Sequence, residues 1–159
     1  MKRSLASQEV QRLADLMAVG SGYSKALLLL AANKVGIFDA VAEKGLSPKQ
    51  IASRLRLDLE AVTLVVRALT GHGFLKRRGN LFSLPNSLKP FLRRGARLDI
   101  TSILRHHSYI LENWVKLGAI LRKGRKKVAS PVIGSRDRDR TDAFIRGMAN
   151  LSRMMGPLV

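Results

Sequence analysis

The chain has 159 residues, 46% of them apolar, and a net charge of +18 from 29 Lys and Arg against 11 Asp and Glu. That length and apolar content suffice for one domain with a packed core and argue against disorder. The absence of cysteine excludes disulfides and thiolate metal sites and suits a reducing cytoplasm, and His72, His106 and His107 show no metal-ligand spacing with the carboxylates.

Met1-Lys2-Arg3 is basic, but residues 4–15 are amphipathic and carry Gln8, Glu9, Gln11 and Arg12, unlike a secretory leader. Residues 7–19 predict a first helix, with Ser7 as its cap and Leu13, Leu16 and Met17 at helical spacing. Gly20-Ser21-Gly22 is expected to break it. A second helix follows over residues 23–35, apolar on almost every side through Ala26, Leu27, Leu28, Leu29, Leu30, Ala31, Ala32 and Val35. The apolar run 26–32 falls short of the roughly 20 residues a membrane span needs, so a soluble chain without a membrane partner is expected. A helix apolar all round must be buried all round. So small a domain has too little chain to cover it, and a second copy is the economical cover, giving a homodimer. Leu27, Leu28, Leu30, Ala31, Val35 and Phe38 are the expected interface residues.

Gly36 ends the second helix, and residues 37–42 predict a short one. Ser47-Pro48-Lys49-Gln50 is a capping box with proline at the first helical position, opening a helix over 48–55. Asp58 can cap the next helix, 59–70, whose inner stripe is Val62, Val65, Val66 and Leu69; Gly71 and Gly73 stop it. Phe74-Leu75-Lys76-Arg77 and Leu81-Phe82-Ser83-Leu84 read as two short strands, joined as a tight hairpin by Arg78-Gly79-Asn80. This is the element order of a winged helix-turn-helix. After residues 88–92, a long helix is expected over 98–121, with Ile103, Leu104, His107, Ile110, Leu111, Trp114 and Leu117 along one side. The densest cations (Arg122, Lys123, Arg125, Lys126, Lys127, then Arg136, Arg138 and Arg140) lie in a stretch with glycine, serine and proline that reads as a solvated loop. A last helix starts near Asp139 or Thr141 and ends at Gly156-Pro157. The fold class is therefore mainly α: a winged-helix core, a two-stranded wing and long flanking helices that intertwine in a dimer. The chain divides into an arm at 1–22, a core at 23–95, and a long helix, basic loop and linker helix at 96–159.

Winged helices commonly read DNA through polar and basic side chains on their second helix. Here that helix carries Arg67 as its single cation, no Asn or Gln, and Asp58 and Glu60 at its start, the wrong sign for phosphates. It is suited to packing on protein. Lys76, Arg77 and Arg78 on the wing keep a dimeric DNA-binding regulator as the alternative. The spread of cations along the whole chain favours a solvated surface or an acidic partner domain over a dedicated polyanion site.

The ordered motifs resemble the N-terminal dimerisation domain of S-adenosylmethionine-dependent small-molecule O-methyltransferases, the type that acts on plant phenylpropanoids such as caffeate and on bacterial polyketides. The run from Ala26 through Ala31-Ala32-Asn33-Lys34-Val35-Gly36-Ile37-Phe38-Asp39-Ala40 resembles the start of that domain, and Leu46-Ser47-Pro48-Lys49-Gln50-Ile51-Ala52 its next segment. Val66-Arg67-Ala68-Leu69 with Gly73-Phe74-Leu75, and Leu84-Pro85-Asn86-Ser87 after the wing, continue the likeness. His106-His107 through Glu112-Asn113-Trp114 is similar to the family's long substrate-side helix, and Phe144-Ile145-Arg146-Gly147-Met148-Ala149 to the Phe-x-x-x-Met segment before its catalytic domain. The likeness spans about residues 10–155. It implies an intertwined homodimer that also closes part of an acceptor pocket, walled by His107, Tyr109, Trp114, Phe144 and Met148, although Trp114, Phe144 and Met148 suit core packing as well. Met154 and Met155 would form the seam with a catalytic domain. In the family, S-adenosylmethionine and the catalytic His belong to a Rossmann-like domain, expected to begin where this sequence ends at Val159. No catalytic or cofactor-binding residue is therefore expected in this chain, and Gly20-Ser21-Gly22 is a helix break rather than a dinucleotide turn. The implied system methylates a hydroxyl of a small aromatic or polyketide-like molecule, and this chain alone is inactive. A stand-alone remnant that partners a separate catalytic chain is a third reading.

Overall fold

The computed structural model describes residues 2–124 and 138–156, with side chains from Ser7 onward; most of the predicted basic loop and the helix-ending Pro157 lie outside the described residues. In chain order the elements are α1 (Lys2–Ser21), α2 (Tyr23–Lys34), α3 (Ile37–Ala40), α4 (Pro48–Leu55), α5 (Leu59–Gly71), β1 (Lys76–Arg78), β2 (Leu81–Ser83), α6 (Lys89–Leu92), α7 (Thr101–Trp114), α8 (Leu117–Lys123) and α9 (Arg138–Met155). The fold is mainly α with a small two-stranded wing.

The expected break at Gly20-Ser21-Gly22 does not occur. Gly22 holds helical dihedrals (φ −59°, ψ −24°), so α1 runs almost directly into α2. Glycine costs a helix only about 1 kcal/mol relative to alanine, too little to stop one that neighbouring residues favour. The Ser21 and Ser24 hydroxyls donate back to the carbonyls of Met17 and Ser21, at 2.8 and 2.9 Å. Ser7–Lys34 thus forms a 28-residue helical stretch that is long and apolar enough, by length and composition, to cross a membrane. The short run at 26–32 concealed this, because joining the helices adds their apolar residues.

The core grows from the capped helices. Ser47 Oγ accepts from Gln50 N at 3.3 Å while Gln50 Oε1 accepts from Ser47 N at 2.9 Å, the reciprocal box expected from the sequence. Asp58 Oδ1 accepts from Ala61 N at 2.7 Å and starts α5. Gly73, with φ +78°, ends α5 in a left-handed cap as Phe74 N donates to Leu69 O at 2.8 Å. The chain then turns into the wing, where β1 and β2 pair antiparallel in the register Arg77 to Phe82. Leu46 exchanges two backbone hydrogen bonds with Phe82, tying the wing to the segment before α4. Ile37, Phe38, Val41, Ile51, Val66, Leu69 and Leu84 are closed in the centre of this unit.

The predicted helix over 98–121 is two helices. A turn at Val115-Lys116 separates α7 from α8, at a place with no glycine or proline to mark it. α7 lies between α2 and α9, and both neighbours grip its first turn. Asn33 Nδ2 of α2 donates to Thr101 O at 2.9 Å, and Asn150 Nδ2 of α9 donates to Asp99 O at 3.0 Å. Asp99 shapes the same turn by accepting from Gly95 N and Thr101 N, at 2.8 and 2.7 Å. α9 closes on α7 at Gly147, where an added Cβ would stand 3.0 Å from Ile103 Cα and 3.1 Å from its N and Cδ1. Backbone atoms of a packed helix cannot retreat as a side chain can. Gly147→Ala is therefore expected to lower the unfolding free energy by about 1–2 kcal/mol, overpacking outweighing the gain in helix propensity. Gly118→Ala on α8 meets open space and should raise it by up to about 1 kcal/mol; urea melts of both variants check the pair.

Candidate functional site

The largest unusual feature of the subunit surface is apolar. Val10, Leu13, Leu16, Met17, Val19, Tyr23 and Leu27 are all exposed along α1 and α2, Val19 at 81%. They spread over about half the helix circumference, so they form a broad continuous face rather than scattered singles. Monomeric proteins rarely leave so long an apolar face open, and such faces mark protein or membrane contacts. Of the six residues expected at the interface, Leu27, Ala31 and Val35 are exposed. Leu28 and Leu30 are half-buried and pack against the chain's own core. Phe38 is corrected outright: at 1% exposure it has no surface left for a partner, because α3 drives it into the centre of the core. The α1 residues carry most of the open stripe. Their spacing was the signal, and the helix break expected at Gly20-Ser21-Gly22 hid its continuity with α2.

The residues expected at the pocket wall do not form one wall within this subunit. His107 is exposed, and its neighbour His106 is the buried member of the pair. Ile103, Leu104 and His106 near the start of α7 are buried, while His107 and Trp114, one and three turns past Ile103 on the same face, are exposed, Trp114 at 62%. Phe144 stacks against His106 with ring centroids 5.0 Å apart. Met148, one helical turn on, is exposed. Tyr109 is half-buried, with Lys34 Nζ 5.6 Å and Arg140 Cζ 5.1 Å from its ring centre. Arg140 also pairs with Glu112, which joins α9 to α7.

Electrostatics reinforce that seam. Asp142 of α9 accepts from Arg146 Nε at 2.5 Å and from Arg105 Nη2 at 2.8 Å. The Arg146 hydrogen bond, aided by the charges of Arg146 and Arg105, holds the Asp142 carboxyl below its usual range despite partial desolvation. Among the described residues no group of three or more His, Cys, Asp or Glu is placed to hold a metal ion. On α5, Val62, Val66 and Leu69 are buried, and the outer side exposes Leu59 and Leu64 with Arg67 as its cation.

Residues 17–85, from the middle of the open stripe to the end of the wing, match the O-methyltransferase dimerisation domain family. That segment is similar to an O-methyltransferase dimerisation domain. No curated protein matches the chain in sequence. Solved structures share its fold. An O-methyltransferase family protein from Burkholderia thailandensis superposes with a TM-score of 0.71 at 23% identity, covering 92% of this chain and 44% of that one. Human N-acetylserotonin methyltransferase, in complex with S-adenosylmethionine, gives 0.76 at 17% identity over 92% of this chain and 47% of its own. A riboflavin-derivative dimethyltransferase from Streptomyces davawensis gives 0.69 at 18% identity over 96% and 46%. The chain thus spans a little under half the length of these proteins, and the likeness extends past the dimerisation domain into α7 and α9.

His106 offers a test of the α7–α9 seam. Burial disfavours its cation and the neighbouring His107 adds like-charge repulsion, so its pKa lies below the ordinary 6.5. The unfolded chain then binds this proton more readily than the folded one. Stability is full above about 6.5 and declines as pH falls from there through the folded midpoint. An NMR titration should place the His106 midpoint below 6.5, and His106→Gln should flatten the pH dependence of the thermal midpoint over that window.

Proposed function

We propose that this chain works in the cytoplasm as the dimerisation and acceptor-lid part of an S-adenosylmethionine-dependent O-methyltransferase. The open stripe of α1 and α2 clasps the same stripe of a second copy, and the two subunits intertwine there. The observation that carries the proposal is the coincidence of the exposed apolar stripe with the dimerisation-domain match at 17–85. His107, Tyr109, Trp114, Phe144 and Met148 contribute at separate points to an acceptor pocket that a partner domain completes. The exposed faces of His107, Trp114 and Met148 suit this role, since each is open to an incoming partner domain. The acceptor is a hydroxyl on a small aromatic or polyketide-like molecule. S-adenosylmethionine and the catalytic base belong to a Rossmann-like domain outside these 159 residues, and the chain by itself transfers no methyl group.

The outer side of α5 lends no support to DNA reading, since it is apolar and has Arg67 as its cation. The length of Ser7–Lys34 raises a membrane as another cover for the stripe, and the dimer experiment separates the two. Sedimentation equilibrium in detergent-free buffer should return a dimer at micromolar concentration. Leu16→Glu with Leu27→Glu should weaken it by more than about 100-fold. Each buried leucine contributes roughly 1.5–3 kcal/mol, and a two-fold interface counts every substitution twice. Both side chains are exposed in the subunit, so the variant should keep its far-UV spectrum. A wild-type monomer would end the proposal. Separately, incubation with methyl-labelled S-adenosylmethionine and a panel of phenols should show no label transfer by the chain alone, and turnover or tight cofactor binding would overturn that part.

A further inference from the structure

A cavity of about 490 Å³ opens between α2, the turn before α7, the first turn of α7 and α9. Its volume falls in the range of small-molecule sites. Unlike most such sites it is lined by charge: Lys34, Arg94, Arg105, Arg146 and Arg153 supply five cations, against the carboxylates of Asp99 and Asp142. Both carboxylates are already committed. Asp99 uses its two oxygens on the backbone amides of Gly95 and Thr101, and Asp142 uses its two on Arg105 and Arg146. Arg94 also pairs with Asp39 at 3.5 Å, which leaves four cations facing two carboxylates, an excess of positive charge.

Two further observations point the same way. Arg105 Nε is buried and has no hydrogen-bond partner among the described residues, although a buried donor left unmade costs about 1–3 kcal/mol. Thr101 and Ser102, the first two residues of α7, also line the cavity; Asp99 takes the Thr101 amide, and the rest of the positive end of this 14-residue helix is directed at the cavity. We propose that this cavity binds a small molecule through an oxyanion, a phosphate or a carboxylate. Arg105, Arg146 and Arg153 donate to it, and the start of α7 completes the positive field. Guanidinium groups suit this task because their planar forks match both anions bidentately. On α9 the cavity residues Asp142 and Arg146 precede Phe144 and Met148 by two positions each, about 200° of helix rotation. The oxyanion cleft therefore lies on the other side of α9 from that aromatic and methionine pair, and the proposal stands independently of the methyltransferase reading.

The test is calorimetric titration of the full chain with inorganic phosphate and with acetate, at low ionic strength and with chloride as the matched control. One saturable site per chain is expected for at least one of the two, at or below about 10 mM. Phosphate alone binding assigns a phosphate ligand, and acetate binding as well assigns a carboxylate-tolerant one. Asp142→Asn removes the built-in competitor and should tighten binding about 5-fold or more, a gain that loss of structure would not produce. Arg153→Gln, an exposed residue that perturbs the fold least, should weaken binding about 5-fold or more; it decides the matter if Asp142→Asn fails to fold. Heat no greater than that of chloride, or phosphate and acetate affinities unchanged in the folded variants, would overturn the proposal.

Discussion

The structure depends on how the first turn of α7 is held. Asn33 from α2 and Asn150 from α9 bond to carbonyls only two residues apart, and Asp99 braces the turn from within. These are buried or half-buried polar contacts, where a lost partner leaves a group unsatisfied at a cost of about 1–3 kcal/mol. The grip seats the start of α7 between α2 and α9, where Ile103, Leu104 and His106 are buried, while His107 and Trp114 further along are open. It also brings α9 close enough for Gly147 to sit against the backbone of Ile103. Both the charged cavity and the His106–Phe144 stack follow from that one placement.

The apolar arm obeys the opposite logic. α1 contributes almost nothing to the subunit's own core, and its apolar residues stand in the open. The core encloses α3 to α5 and the wing, and among the described residues no element lies over α1 and the outer side of α2. The similarity of residues 17–85 to the dimerisation-domain family takes in part of that surplus, from Met17 onward.

Local chemistry was legible where it was decided by neighbours in the chain. The Ser47–Gln50 box, the Asp58 cap, the glycine end of α5 and the tight turn of the wing each rest on residues within a few positions of one another. What sequence reasoning missed was decided at long range. Glycines at 20 and 22 read as a break until the helices on both sides proved favourable enough to run through them. Phe38 read as interface because it borders an apolar run, and became core because α3 turns it inward. The five cavity cations come from four different segments, and only the Asp142–Arg146 pair carried a local clue, its one-turn spacing on a helix.

Sequence alone determined the fold class, the order of the capped helices and wing, and the surplus of apolar surface near the N-terminus. These follow from periodicity, caps and composition, which act over a few residues or over the sum of them all. The tertiary structure decided which histidine of the pair is buried, which side of α7 faces α9, and that five cations meet around one hollow. Those outcomes depend on contacts between residues 50 and more positions apart, such as Asn33 with Thr101 and Asn150 with Asp99, and no local pattern encodes the angle at which two such segments meet.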